Sequence, residues 1–141
     1  LGPNGINAAR YYVGDDSDTG SHITTDEMFK VEKELLQNIG HKVSCVIAGR
    51  SGFYVLKDHP NHISVLIQAS MPYRVERIMR KQGLSKSAAE KAINKVVQMR
   101  ENYVKQYCGT SRYDTRNYDL VISVDGKTEE QIVNQILMFI D

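Results

Sequence analysis

An arginine directly follows a short apolar run in this sequence of 141 residues. The run is CVIAG (45–49), and Arg50 and Ser51 come next. If the run is a buried strand, Arg50 lies at its carboxyl end, where ligands bind in open α/β sheets. A guanidinium binds a phosphate or carboxylate through two parallel hydrogen bonds, and the Ser51 hydroxyl can add another. The alternative is that Arg50 pairs with an acidic side chain at the rim of the sheet, while Ser51 caps the helix that follows.

A second basic group lies further along the chain. It consists of Arg74, Arg77, Arg80 and Lys81, in PYRVERIMRK. A spacing of three residues places the three arginines on one side of a helix, where each like-charge pair costs a few tenths of a kcal/mol. Such a run is typical of a solvated helix face. However, this helix starts at the carboxyl end of the next predicted strand, at the same edge as Arg50, which favours an anion site. Arg100, in QMRENY, could reach that edge from the next helix.

Other kinds of site find little support in the sequence. GDDSDTGS (14–21) is rich in glycine, but it has no lysine and its three aspartates would repel a phosphate. No P-loop of the form G-x-x-x-x-G-K-[ST] occurs anywhere. The four histidines show no metal-ligand spacing with Cys45 or Cys108, so no metal site is expected in the chain itself. The tyrosines between positions 103 and 118 could stack on a base, but packing at the edge of the core is the favoured interpretation.

Composition narrows the class of protein. A length of 141 residues with 41% hydrophobic and 25% charged residues is typical of one globular domain with a modest core. A net charge of +1 gives no global field that would recruit nucleic acid or an anionic membrane. Two cysteines, with Cys45 expected to be buried in a strand, favour a reducing, cytoplasmic setting, and no apolar run approaches the roughly 20 residues of a membrane helix. Any anion binding must therefore come from a local cluster of Arg and Lys, and no nucleic acid or membrane partner is expected. The expected partner is a small-molecule ligand, and a second copy of the chain, in a homo-oligomer, is a further possible partner.

The elements that must position these residues alternate between helices and strands. Residues 1–23 have no sustained period and are predicted to be a loop. A capping box formed by Thr24 and Glu27 begins the first helix, which Gly40 is expected to end. Apolar runs predict strands at 41–49, 62–69 and 120–125. A short helix or turn is expected at about 51–57, and helical spacing predicts further helices at 72–82, 84–109 and 128–140.

This order predicts the architecture. Strands that alternate with helices pair in parallel through right-handed crossovers. The expected fold is a single α/β domain over residues 1–141, with three layers: a parallel sheet and helices on both of its faces.

Four segments together resemble a known family from about Thr25 to the end of the chain. They are VIAGR (46–50), ISVLIQAS followed by RVERIMR, the helix that ends in QMRENYVKQYCG, and YDLVISVD followed by TEEQIVNQI. In this order and spacing they resemble the cytidylate kinase-like proteins among the P-loop nucleoside monophosphate kinases. The resemblance implies a P-loop kinase fold with a lid-like region at 72–109. It also implies that the small-molecule partner is a nucleotide and that the reaction is phosphoryl transfer from ATP, with Mg²⁺, to a nucleoside monophosphate such as CMP or a similar small acceptor.

The resemblance also implies roles for the basic residues. Arg50, with Ser51 beside it, would hold the phosphate of the acceptor. Arg74 and Arg77 would face the donor phosphates or the adenine, with Arg80 and Lys81 as further candidates. Arg77 and Arg100 would be the catalytic residues, with Arg100 stabilising charge on the transferring phosphoryl group. Ser51 stands where cytidylate kinases carry an aspartate tied to pyrimidine recognition, which leaves the acceptor base open.

The resemblance does not include the first strand and P-loop of that family. We therefore expect either a longer parent protein or another chain that fills this place in the sheet. Without a P-loop, the alternative function is a non-catalytic anion-binding or regulatory module, or an assembly domain whose sheet edge recruits a second chain. A kinase of the same fold with a non-nucleotide acceptor is a third possibility.

Overall fold

Helices make up most of the residues that the computed structural model describes, 26–141. The helices are α1 (Asp26–Lys42), α2 (Gly52–Val55), α3 (Met71–Gln82), α4 (Lys86–Cys108), α5 (Glu129–Ile140) and a 3₁₀ turn, Thr115–Asn117. The strands are β1 (Val65–Gln68) and β2 (Leu120–Ser123). The chain divides into two units, Leu1–His59 and Pro60–Asp141. The predicted loop 1–23, the GDDSDTGS segment and the predicted cap Thr24 lie outside the described residues.

In the first unit, α1 packs against α2 and the turn that follows it. Leu36 is buried, and the Gln37 side-chain amide donates to the carbonyl oxygen of Val55 at 3.2 Å. The prediction that Gly40 ends the helix is wrong, because α1 continues to Lys42. A Cβ at Gly40 would lie 3.1 Å from Leu56 Cδ2. Gly40 is therefore suited to a close helix contact rather than to a helix end.

The predicted buried strand at 41–49 is also wrong. Residues 43–48 have no regular secondary structure, Cys45 is exposed, and the side chain of Val46 is 98% exposed. A strand needs a neighbour that accepts its backbone hydrogen bonds, and the sheet of the described residues consists of β1 and β2. An apolar run can predict the strand but not its partner. Arg50 therefore does not follow a sheet strand in this structure.

In the second unit, β1 and β2 pair in parallel with Val65 opposite Leu120 and Gln68 opposite Ser123. Leu66 and Ile122 are buried, whereas Ile67, on the opposite side of its strand, is 53% exposed. This alternation follows from the period of two along a strand. Because Ile122 stands beside Ile67 in this register, its buried side chain lies on the face opposite that of Leu66, so each face of the sheet carries one of these buried residues.

Helices α3 and α4 connect the two strands and pack against each other. Val75, Ala89 and Ile93 form their shared core, with Leu84 packed at its side. Both helices have the predicted caps: the Ser85 hydroxyl accepts from the Ala88 N–H at 3.2 Å, and Gly83 adopts a φ of 65° after α3. The order β1–α3–α4–β2 thus confirms a parallel pair joined by helices.

Helix α5 follows β2 and contacts it. The predicted capping box is confirmed, because the Thr128 hydroxyl accepts from the Gln131 N–H and the Gln131 side chain accepts from the Thr128 N–H. The mixed α/β class is therefore shown, but two strands do not establish the three-layer kinase arrangement, which stays a prediction. None of the described helices is both long and apolar enough to cross a bilayer.

Candidate anion-binding site

Local sequence signals place the basic residues of α3. Ser70 is the N-cap, Pro72 suits the first turn, and Gly83 ends the helix in the left-handed conformation. Tyr73, Arg77 and Lys81 are four residues apart and therefore lie along one face of the helix. Arg80 lies beside them, one residue before Lys81.

These side chains line a hollow on the protein surface. Its lining is Tyr73, Arg77, Arg80, Lys81 and, from the first turn of α5, Glu129; we call it the basic hollow. Three cations face one carboxylate, so the hollow carries an excess of positive charge. Cations held at this spacing repel one another by a few tenths of a kcal/mol per pair, and a bound anion relieves that repulsion. The Tyr73 ring adds a flat apolar surface.

Arg74 and Arg100 do not line the basic hollow. Arg74 is half-buried in the first turn of α3, and its N–H donates to the Ser70 carbonyl oxygen at 3.1 Å. Arg100 is half-buried on α4. The structure therefore brings Arg77, Arg80 and Lys81 together, and the roles of Arg74 and Arg100 stay predictions.

Arg50 and Ser51 occupy a tight turn in the first unit. The Gly52 N–H donates to the Gly49 carbonyl oxygen at 3.1 Å, and both central residues have a φ of 53°. Positive φ at both central positions is the mark of a type I′ turn, which strongly prefers asparagine and glycine. Arg50 and Ser51 therefore adopt a backbone conformation that residues with side chains rarely populate. Residues in such conformations cluster at functional sites.

The two side chains of this turn differ in solvent exposure. Arg50 Nε lies 3.4 Å from Glu32 Oε1, and the Arg50 side chain is 36% exposed. Ser51 is buried, and its hydroxyl makes no capping hydrogen bond to α2. The structure thus shows the pairing with an acidic side chain that was one of the two interpretations of Arg50. The Arg50 side chain as a whole is also partly exposed to solvent.

The tyrosines at the end of α4 pack with one another. The rings of Tyr103 and Tyr107 are 5.0 Å apart and tilted by 54°. The Tyr118 hydroxyl donates to the Arg112 carbonyl oxygen at 2.7 Å, and burial raises the pKa of Tyr118. These contacts agree with the prediction that the tyrosines pack at the edge of the core. Such contacts do not form an open aromatic surface on which a base could stack.

Comparison with known proteins relates the chain to a family. The sequence profile of the cytidylate kinase-like family matches residues 4–126. This chain belongs to the cytidylate kinase-like family. A uronate isomerase from Corynebacterium glutamicum is 34% identical over 92 residues, which are 65% of this chain and 18% of that protein. The crystal structure of an uncharacterized protein from Eubacterium ventriosum ATCC 27560 superposes with a TM-score of 0.71 at 28% identity, covering 81% of this chain and 63% of that one.

This cytidylate kinase-like chain therefore spans less than two thirds of the length of either protein. It includes sites that the motif analysis missed. Ser70 and Asp125 are tied together at the carboxyl ends of β1 and β2, and Glu129 joins the basic hollow. The signal for Asp125 was present, because an acidic residue directly follows the predicted strand. That it would meet Ser70 depended on the register between the strands.

The described part of the cytidylate kinase-like chain contains no group of three or more His, Cys, Asp or Glu side chains placed to hold a metal ion. The basic hollow fits phosphate groups by the chemistry of its donors, since two guanidiniums and an ammonium converge there.

Proposed function

We propose that this chain carries part of the phosphate-binding machinery of a nucleotide kinase-like phosphotransferase. The reaction would move a phosphoryl group from ATP, with Mg²⁺, to a nucleoside monophosphate such as CMP or to a similar small acceptor. Family membership supports this proposal. The observation that carries it is the basic hollow, where Arg77, Arg80 and Lys81 share one surface with Tyr73.

The residues of the hollow would act on the donor. ATP supplies the phosphoryl group that is transferred. Arg77 and Arg80 would donate charge-assisted hydrogen bonds to phosphate oxygens, and Lys81 would add a point charge. Such transfer requires positioning and neutralisation of charge more than covalent chemistry from the protein. In this proposal Arg74 faces the same phosphates and Arg100 reaches the transferring group.

Mg²⁺ would arrive with the nucleotide. Proteins of this reaction class usually bind it through one or two carboxylates together with substrate phosphates, rather than in a cage made only of protein ligands. A cluster of three protein ligands is therefore not required for the proposal.

The acceptor would bind at the other arginine. Arg50 would hold its phosphate, sharing or exchanging its contact with Glu32, and Ser51 would lie beside it. A doubly charged phosphate competes well with one carboxylate for the guanidinium of a partly exposed arginine. A cytoplasmic setting belongs to the same proposal, and the two free cysteines support it.

A titration tests the role of the basic hollow. Calorimetry with ATP and Mg²⁺ should give a dissociation constant that rises by about a hundredfold or more in the double variant Arg77→Gln with Arg80→Gln, since each of the two lost charge-assisted bonds contributes about 1.5–3 kcal/mol. Lys95→Gln, an exposed cation on α4 outside the hollow, is the matched control and should bind as the unsubstituted chain does.

ADP formation in the presence of CMP then separates the two function classes. Binding that depends on Arg77 and Arg80 together with ADP formation supports the transferase. The same binding without ADP formation would favour the non-catalytic anion-binding module. If ATP does not bind, or binds equally well in the double variant, the proposed role of the hollow is wrong.

A further inference from the structure

Ser70 and Asp125 are in contact at the start of α3, three residues before Tyr73 of the basic hollow. The Ser70 N–H donates to Asp125 Oδ1 at 2.9 Å, and its hydroxyl donates to Asp125 Oδ2. The same hydroxyl oxygen accepts from the Tyr73 N–H at 3.3 Å. We call this set of contacts the Ser70–Asp125 latch. It uses both carboxylate oxygens and satisfies one of the free N–H groups at the start of α3.

We infer that Asp125 is a positioning residue, which acts through Ser70 to hold the first turn of α3 so that Tyr73 and Arg77 face Glu129 across the basic hollow. This inference rests on the proposed function for its effect on nucleotide binding. Its effect on α3 itself can be measured without any ligand.

The first step of the argument is the path from the latch to the hollow. Tyr73 lies three residues after Ser70, and Arg77 lies one helical turn after Tyr73, so a shift of the first turn moves both side chains. On the other side, Asp125 lies four residues before Glu129. The latch therefore joins the start of α3 to the short loop that leads into α5.

That loop is itself held in place. Val124 N–H donates to the Gln68 carbonyl oxygen at 2.9 Å, and the Lys127 ammonium donates to the Ser123 carbonyl oxygen at 2.5 Å. Gly126 has a φ of 73°, which supplies the turn into the capping box of α5. Hydrogen bonds therefore fix the segment that carries Asp125. A residue can position a helix only if its own backbone is held in place.

Charge supports the same role. The hydrogen bonds from Ser70 lower the pKa of Asp125, with a smaller contribution from Lys127, so the carboxylate is ionised at neutral pH. An anion beside the first turn of α3 also interacts favourably with the positive end of the helix. Because the pKa is lowered on folding, the stabilisation is present above the ordinary value of 3.8 and is lost as the pH falls through the lowered value.

The other end of the strand pair provides a matched control. There the Ser64 N–H donates to Asp119 Oδ2 at 2.7 Å. This is the same kind of contact between residues that flank the same two strands, here at their amino ends, and both pairs are separated by 55 residues. Asp119 does not cap a helix, so its loss should weaken the strand pair without displacing α3.

The test measures amide hydrogen exchange and ATP binding on Asp125→Asn, Ser70→Ala and Asp119→Asn. In the first two variants, exchange at residues 73–77 should become faster and the dissociation constant for ATP with Mg²⁺ should rise by roughly tenfold. Ser70→Thr keeps the hydroxyl and should restore both values. Asp119→Asn should leave both unchanged under conditions where it is folded.

The sign of the binding effect separates positioning from simple electrostatics. Removing a negative charge from this region would leave anion binding equal or stronger on electrostatic grounds alone. Weaker binding in Asp125→Asn therefore supports displacement of the cations. Unchanged exchange at residues 73–77, or faster exchange with unchanged affinity, would overturn the positioning role. If the unsubstituted chain binds no ATP, the proposed function fails, and the exchange comparison decides whether the latch orders α3.

Discussion

At the scale of single residues, the turn at Arg50 and Ser51 combines a left-handed backbone conformation with residue types that disfavour it. Two residues with side chains occupy positions at a φ of 53° that glycine or asparagine normally takes. A left-handed conformation costs roughly 1–2 kcal/mol for such a residue. This strained turn places the Arg50 side chain beside Glu32.

The strain makes a prediction at this turn. Ser51→Gly should raise the free energy of unfolding by up to about 1 kcal/mol, because it relieves positive φ at the cost of some chain entropy. Gly49→Ala should lower it by about 1–2 kcal/mol, although no atom lies within 4 Å of the added Cβ, because Gly49 has a φ of 74°. Urea denaturation of both variants provides the measurement. Changes in the same direction would show that the turn is not strained as described.

At the scale of elements, the packing of α3 on α4 supports the basic face of α3. Val75, Ala89 and Ile93 lie on the buried side of this pair, while Arg77, Arg80 and Lys81 lie on the exposed side. The cations can therefore crowd together because apolar burial on the opposite face holds the helix in place.

The packing of these helices gives the second prediction. Ile93→Ala should lower the free energy of unfolding by about 2–5 kcal/mol, whereas Ile93→Val should cost about 0.5–1.5 kcal/mol. Lys95→Gln, on the exposed side of the same helix, should stay within about 0.5 kcal/mol. Thermal or urea unfolding measures all three. An Ile93→Ala variant as stable as Lys95→Gln would contradict the shared core of α3 and α4.

At the scale of the whole molecule, apolar side chains remain exposed on several elements. Val31 and Leu35 of α1 are each more than half exposed, as are Val46 and, on α5, Leu137. Val31 and Leu35 are one helical turn apart, so their side chains are neighbours on the surface of α1.

This exposure predicts dye binding. A solution of the chain should enhance the fluorescence of anilinonaphthalene sulfonate at neutral pH, because the dye binds exposed apolar surface. Val46→Glu and Leu137→Glu should each reduce the signal, with changes in stability within about 0.5 kcal/mol. Lys57→Gln, which lowers the net charge by one as Val46→Glu does but removes no large apolar side chain, controls for repulsion of the anionic dye. A signal equal in Val46→Glu and in Lys57→Gln would show that the run 43–48 is not an apolar surface in solution.

The sequence by itself determined the helix caps, one helix end and the parallel pairing of two strands. Side chains a few residues apart specify the caps at Ser85 and Thr128 and the end of α3 at Gly83. The order of the elements specifies that the apolar runs that form β1 and β2 pair in parallel. Family membership followed from four segments in the right order, and Arg77, Arg80 and Lys81 were named as candidates from their spacing and from the place of their helix after a predicted strand.

Only the tertiary structure decided which segments found partners. The apolar run at 43–48 has the composition of a strand, but a strand forms only where another backbone accepts its hydrogen bonds. Asp125 meets Ser70 because a particular register aligns β1 with β2, and Glu129 lines the same hollow as the cations of α3. Ser70 and Asp125 are 55 positions apart, and no local pattern specifies which distant residue will stand opposite.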